Sequence, residues 1–276
     1  MTQREERYDR DGSEASVIIK ADESYLKGAQ DFQIKMATNR ALTEAASNFD
    51  HLHHLVTNFR RGSFRQDFEG EMNALQAKLD SNELIMAGHQ VMQAWEVELM
   101  KGMVRIMMGG QTVSPGDPTK LDILEVGFGM AISATEIMQY KPNSYTVIEP
   151  NPDVIKSFDE WAKPYSNAQL QKGYWEEAIP ALGNYDGIFY DPYVFCDDGR
   201  EFEHMVEFFP VAANHLNKGG ALVYFTCEID SIGRHHQREI FKHFSRFSVE
   251  VVRDLEPPEG CQYWWSDSMA VVAAIK

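Results

Sequence analysis

The chain has 276 residues, of which 43% are hydrophobic and 25% charged, and it carries a formal net charge of −16 at pH 7. A chain of this length can bury a full core, one large domain plus an extension, and its acidic balance argues against phosphate-backbone partners such as nucleic acid, which require a basic footprint. No apolar run is long enough to span a bilayer, no signal-peptide pattern follows Met1, and the scattered Cys196, Cys227 and Cys261 suit reduced thiols in a cytoplasmic setting.

Residues 1–22 are polar and charged without clear period, and read as a flexible arm. From 23 to 59 the apolar positions recur at helical spacing. His51 and His54 would share one face of that helix, with His53 beside them. No Cys or carboxylate stands at matching spacing, so the face reads as solvated or as an interface, and no metal site is expected. After the breaker RRGS at 60–63, the stretches 64–79 and 82–108 read as two more helices, the last filled with methionines that suit a pliable core. The segment GGQTVSPGDPTK (109–120) has the glycines and prolines of a linker, and the boundary of the N-terminal helical region is expected there.

The next stretch organises everything after it. Residues 121–131 read LDILEVGFGMA: a buried strand containing Glu125, then Gly127 and Gly129, then a helix. A strand that ends in glycines and opens a helix is a ligand-binding turn, because a Cβ there would collide with the ligand. About twenty residues on, a second strand ends in Glu149, where a nucleoside ribose can be held by its hydroxyls. Dinucleotides and S-adenosylmethionine both fit this pattern. The dinucleotide fingerprint requires a third glycine where Ile132 stands, so S-adenosylmethionine is favoured.

Strand and helix signals then alternate: a helix from Pro152 to about Trp161, strands at 169–172, 187–190 and 221–226, helices at 202–216 and 234–244, and two closing strands at 248–255 and 269–275. Alternation predicts a doubly wound, mostly parallel α/β sheet, and two closing strands with no helix between them predict an antiparallel edge hairpin. Ligands of such sheets bind at the carboxyl ends of the strands, where Gly127, Glu149, the Tyr174–Glu176 stretch, Asp191 and Glu228 all fall.

Two carboxylates stand in apolar surroundings. Asp191 ends a hydrophobic strand in YDPY, either as a cap before a turn or as a charge placed to meet a cation. Glu96 lies in VMQAWEVELM, either on a solvent face beside Glu98 or buried to meet a charge.

The segments VMQAWEVELM (91–100), LEVGFGMAIS (124–133), IEPN (148–151), GYWEEA (173–178), GIFYDPY (187–193), LNKGGALVYF (216–225) and PPEGCQYWW (257–265) occur in this order. Over about residues 83–276 the chain resembles guanidinoacetate N-methyltransferase and its relatives that methylate arginine. The resemblance implies a seven-stranded, Rossmann-like methyltransferase sheet and S-adenosylmethionine as cofactor. It puts Glu125, Gly127 and Gly129 at the methionine end of that cofactor, Glu149 on the ribose, and Trp175 with Glu176 on the adenine. Glu96 and Asp191 match the carboxylates that grip the guanidinium, Met92 and Met100 match pocket walls, and Tyr193 in the YDPY segment joins the substrate-binding candidates. Outside the resemblance, the apolar stripes of the helical region 23–108 lead us to expect a substrate cap and dimerisation element, ahead of an S-adenosylmethionine-binding methyltransferase domain over 121–276.

The chain departs from the creatine-forming pattern at Pro192, in the Thr226–Asp230 stretch, and in its longer N-terminal extension. Glu228 and Asp230 stand where those relatives carry neutral residues; an acid there repels a bare carboxylate and attracts an α-ammonium. The expected reaction is therefore S-adenosylmethionine-dependent N-methylation of a small guanidino compound, free L-arginine ahead of guanidinoacetate, by a cytoplasmic enzyme that pairs as a homodimer through its N-terminal helices and binds neither nucleic acid nor membrane. The competing readings are amino methylation of a nucleic acid or protein side chain, and a methyltransferase-like fold that only binds a partner. Tyr263, Trp264 and Trp265 are candidates for a pocket wall or for edge packing.

Overall fold

The computed structural model of the chain describes residues 75–86, 88–109, 120–193 and 201–276, together with the short strands β1 (Gln3–Glu6) and β2 (Val17–Lys20). The helix expected over 23–59, with its three histidines, lies outside the described residues, as do Cys196, nearly all of the linker and most of the 64–79 helix. The chain divides into two compact units, Met1–Glu69 and Gly70–Lys276. In the first, β1 and β2 pair antiparallel within the segment read as an arm. The run Val17-Ile18-Ile19 is β-branched throughout, which suits extended backbone.

The second unit opens with a small antiparallel sheet of β3 (Ala77–Leu79), β4 (Glu83–Met86) and β5 (His89–Gln93). This corrects the sequence reading, which ran one helix over 82–108. Leu84 and Met86 are buried while Glu83 and Ile85 are half-buried, a period of two, and the chain turns at Gly88 to bring β5 back along β4. A 3₁₀ turn, Ala94–Glu96, leads into α1 (Val97–Met107), so only the C-terminal part of the long apolar run is an α-helix. The expected end of 64–79 is likewise strand at β3.

There follow β6 (Asp122–Val126), α2 (Ile132–Gln139), β7 (Ser144–Glu149), α3 (Pro152–Trp161), β8 (Ala168–Lys172), α4 (Trp175–Ala178), β9 (Tyr185–Tyr190), α5 (Glu201–His215), β10 (Leu216–Tyr224), α6 (Arg234–Phe241), β11 (Arg246–Val252) and β12 (Met269–Ile275). Helix α3 starts where the sequence says it must: Pro152 occupies the first turn, and the Asn151 side chain accepts from the backbone N–H of Asp153 and Val154.

The large sheet has seven strands in the order β11-β12-β10-β9-β6-β7-β8. Strands β10, β9, β6, β7 and β8 are parallel, whereas β12 runs antiparallel between β10 and β11. The closing pair is therefore threaded inward: β12 (MAVVAAI) is buried on both faces and takes the inner place, and β11, whose residues are mostly exposed or half-buried, takes the edge. One face packs on α1, α2 and α3 through Met100, Met103, Ile137, Phe158, Tyr145 and Phe189. The other packs on α5 and α6 through Phe208, Phe209, Ile240, Ile188 and Leu222. Helix α1 thus belongs to the core of the second unit and is not separated from it by the 109–120 segment.

Candidate active site

The strand order reverses between β6 and β9, and the crevice at their carboxyl ends is where an open α/β sheet holds a ligand. Backbone bonds carry the ladder past those ends. Gly127 N–H donates to Ile148 O at 2.9 Å, Asp191 N–H to Val126 O at 3.0 Å, and Gly173 N–H to Glu149 O at 3.1 Å. Gly127, Glu149 and Asp191 are thereby drawn to one rim.

Both turn glycines are required by space as well as by conformation. Gly127 has φ +88°, and a Cβ there would lie 2.7 Å from the backbone O of Asp191. Gly129 has φ +52°, and its Cβ would lie 2.7 Å from Met92 Sδ. Backbone cannot give way as a flexible thioether can, so Gly127 is the stricter of the two. Met92 is the roof of the turn: it descends from β5, and its sulfur also receives Met130 N–H at 3.3 Å. Met100, on α1, is wholly buried in the adjoining core.

Four acids surround this turn. Glu149 is buried, with Oε2 accepting from Phe128 N–H at 3.0 Å and Oε1 from Asn151 N–H at 2.8 Å. Burial raises its pKa, and the two backbone donors oppose the rise. Glu125 is fully buried, its carboxylate accepting from the hydroxyls of Ser133 and Tyr145. Burial pushes it to about 8, and the nearby charges of Asp191 and Glu149 act in the same direction. Neither Ser133 nor Tyr145 was singled out from sequence. The signal was there, since Ile123 pairs with Tyr145 and Glu125 lies two residues further on the same face.

Glu96 ends the 3₁₀ turn and is buried, with a pKa raised to about 8, first by desolvation and then by the charge of Asp191. One oxygen, Oε1, takes both available protein donors, Gln93 N–H at 2.8 Å and the Tyr263 hydroxyl at 2.6 Å. Asp191 is raised to about 7 by burial. Among the described residues no cationic side chain pairs with Glu96 or Asp191, and nothing donates to Glu96 Oε2 or to the Asp191 carboxylate. Two recessed acids without a cationic partner among the described residues, one raising the pKa of the other, are an arrangement that suits a cation. Among the described residues no group of three or more His, Cys, Asp and Glu is arranged to hold a metal ion.

A family model described as guanidinoacetate N-methyltransferase matches residues 59–254. The chain belongs to the guanidinoacetate N-methyltransferase family. Among curated relatives, protein arginine N-methyltransferase 2 of Debaryomyces hansenii is 30% identical over 142 residues, 49% of this chain and 31% of that protein. The protein of the same name from Gibberella zeae is 31% identical over 144 residues, 48% of this chain and 30% of that protein. The matched part of the chain thus spans about a third of the length of these relatives. Among solved structures, spermidine synthase from Thermotoga maritima superposes with a TM-score of 0.50 at 14% identity, over 73% of this chain and 72% of that one, a likeness of fold alone.

Membership in the guanidinoacetate N-methyltransferase family implies S-adenosylmethionine as cofactor. The rim fits that cofactor. The positive-φ glycines let the turn pass directly under Asp191 and Met92, and the Glu149 carboxylate, held by two backbone N–H groups, keeps lone pairs that suit ribose hydroxyls. Trp175 and Glu176 open α4 just after β8, on the side expected for the adenine. Trp175 is half-buried against Phe208, with ring centroids 5.0 Å apart, and Glu176 is exposed.

The remaining sequence candidates divide. Tyr193 is half-buried two residues beyond Asp191. Glu228, expected at the mouth of the site, is turned toward α6 instead: Oε1 accepts from Gly233 N–H at 3.0 Å, and Oε2 lies 2.8 Å from His236 Nδ1, whose Nε2 meets the Tyr224 hydroxyl at 2.7 Å. The sequence could place Glu228 at a strand end, but not the buried His236 that engages it. Among the described residues no helix is long and apolar enough to cross a membrane.

Proposed function

We propose that this chain is an S-adenosylmethionine-dependent N-methyltransferase acting on the guanidino group of a small molecule, free L-arginine or guanidinoacetate. The observation that carries the reading is the unpaired Glu96–Asp191 receptor beside the glycine turn. A guanidinium is planar, permanently charged near neutral pH, and presents paired N–H donors that match carboxylates. Among the described residues, Glu96 Oε2 and Asp191 accept from no protein donor, and they suit that cation. Bound S-adenosylmethionine supplies an electrophilic methyl group. The rest falls to this chain's residues. Glu96 orients the guanidinium, and Asp191 takes the proton from the guanidino nitrogen as that nitrogen forms its bond to carbon. An acid shifted to about 7 is matched to accepting a proton near neutral pH. Met92 and Met100 exclude water from the reacting atoms.

Glu228 no longer supports a choice among guanidines, because its carboxylate is engaged by His236 and Gly233. The names of the curated relatives favour a second reading, arginine within a protein. Turnover with free L-arginine, guanidinoacetate and an arginine-containing peptide separates them. One of the two small guanidines should give the highest kcat/KM. Turnover of the peptide alone establishes the second reading, and turnover of none of the three overturns both.

A further inference from the structure

The segment between β11 and β12 crosses the sheet end and returns to β5. It is clamped there by a reciprocal pair: Gln262 N–H donates to Gln90 Oε1 at 2.8 Å, and Gln90 N–H donates to Gln262 Oε1 at 3.2 Å. The next residue, Tyr263, lays its ring on Trp95, with centroids 6.0 Å apart and planes inclined by 28°, and donates its hydroxyl to Glu96 Oε1 at 2.6 Å. Trp95 is fixed in turn, its indole N–H reaching Gln93 Oε1 at 3.1 Å. The phenol is thus held at its ring and delivered to one oxygen of one carboxylate, 167 residues away in sequence.

We propose that Tyr263 is a positioning residue of the guanidino-binding site: with Gln93 N–H it immobilises Oε1 of Glu96, so that Oε2 is presented to the ligand's N–H groups. The proposal rests on the reading of Glu96 as a guanidinium ligand. Without the hydroxyl, Glu96 keeps a single donor, and its carboxyl rotates about the last side-chain bond. Its proton affinity also rises, because a hydroxyl that donates to a carboxylate favours the ionised form. The titratable groups facing Glu96 are Asp191 from the end of β9 and Tyr263 and Cys261 from this segment; Glu83 lies one step further, receiving Gln93 Nε2 at 3.2 Å. Burial and the Glu96 charge raise the Tyr263 hydroxyl above its ordinary range, which favours its role as donor.

The test is Tyr263→Phe in the full chain, which keeps the ring on Trp95 and removes one oxygen. KM for the guanidino substrate should rise about tenfold with a smaller change in kcat, as a lost hydrogen bond to a charged group implies. The acidic limb of the kcat/KM profile should move to higher pH, while cofactor affinity by calorimetry stays unchanged. Combined with Glu96→Gln the substitution should cost nothing further, since it acts through that carboxylate. An altered melting temperature with unmoved KM and pH profile would make Tyr263 structural and overturn the proposal. If Tyr263→Phe does not fold, Gln262→Ala decides: loosening the clamp should raise KM in the same direction, and an unchanged KM overturns the proposal. Wild-type protein that binds cofactor but turns over no guanidine overturns the reading of Glu96 and this role with it, whereas wild-type turnover unaffected by Tyr263→Phe removes Tyr263 alone.

Discussion

Replacing Glu96 with Gln is expected to stabilise the ligand-free protein at alkaline pH while removing most of its turnover. A carboxyl whose pKa is 4.5 in the unfolded chain and about 8 in the folded one binds its proton more tightly in the native state. The contribution of this carboxyl to stability is therefore fully present below pH 4.5, is lost as pH rises through the interval to about 8, and is flat beyond it. At about 1.4 kcal/mol for each tenfold in proton affinity the native state loses up to about 5 kcal/mol, which water entry and relaxation reduce to roughly 1–3 kcal/mol. Gln keeps the shape, can still accept from Gln93 N–H and the Tyr263 hydroxyl, and carries no charge to bury. At about 2–4 °C per kcal/mol, the melting temperature of Glu96→Gln should exceed wild type by roughly 3–10 °C at pH ~9 and match it at pH ~4.5. Differential scanning fluorimetry across that range, without cofactor or substrate, reads the difference. A variant that melts below wild type at high pH, or differs by the same amount at both ends, would show that Glu96 is a structural acid and not a strained receptor.

Asp191→Asn should lower kcat by about a thousandfold or more through loss of counter-ion and proton acceptor, with cofactor still bound in calorimetry; near wild-type turnover would move the base elsewhere. Glu149→Ala should weaken S-adenosylmethionine binding by on the order of 1–3 kcal/mol, and unchanged affinity in a folded variant would remove Glu149 from the cofactor site. The N-terminal region is proposed to form a homodimer, for which light scattering should give twice the chain mass; a monomer at micromolar concentration refutes it.

Much of the catalytic unit was legible in the chain itself. Residues 121–131 specify strand, glycine turn and helix by composition alone, and the alternation that follows has one economical solution, a parallel sheet with helices on both faces. Glu149 and Asp191 follow from the same logic, since polar residues at the ends of buried strands face the crevice. The segment before α1 was read wrongly for a physical reason. Its apolar residues fit both periods, and the turn at Gly88 was hidden among good helix formers, so tertiary pairing with β4 decided the matter.

What local sequence cannot contain is which distant group satisfies which charge. The periodicity of VMQAWEVELM left Glu96 either solvated or buried; the fold buries it, and Tyr263 and Asp191, remote in the chain, are the groups it meets there. Glu228 illustrates the converse, a strand-end acid of the right type whose role was decided by His236 on the following helix. Residue types and strand ends are set by the order of amino acids, because hydrophobic period and turn chemistry act over a few residues. The pairing of acids with donors is set by packing across the sheet, because desolvation and hydrogen bonding act over a few ångströms of space regardless of separation along the chain.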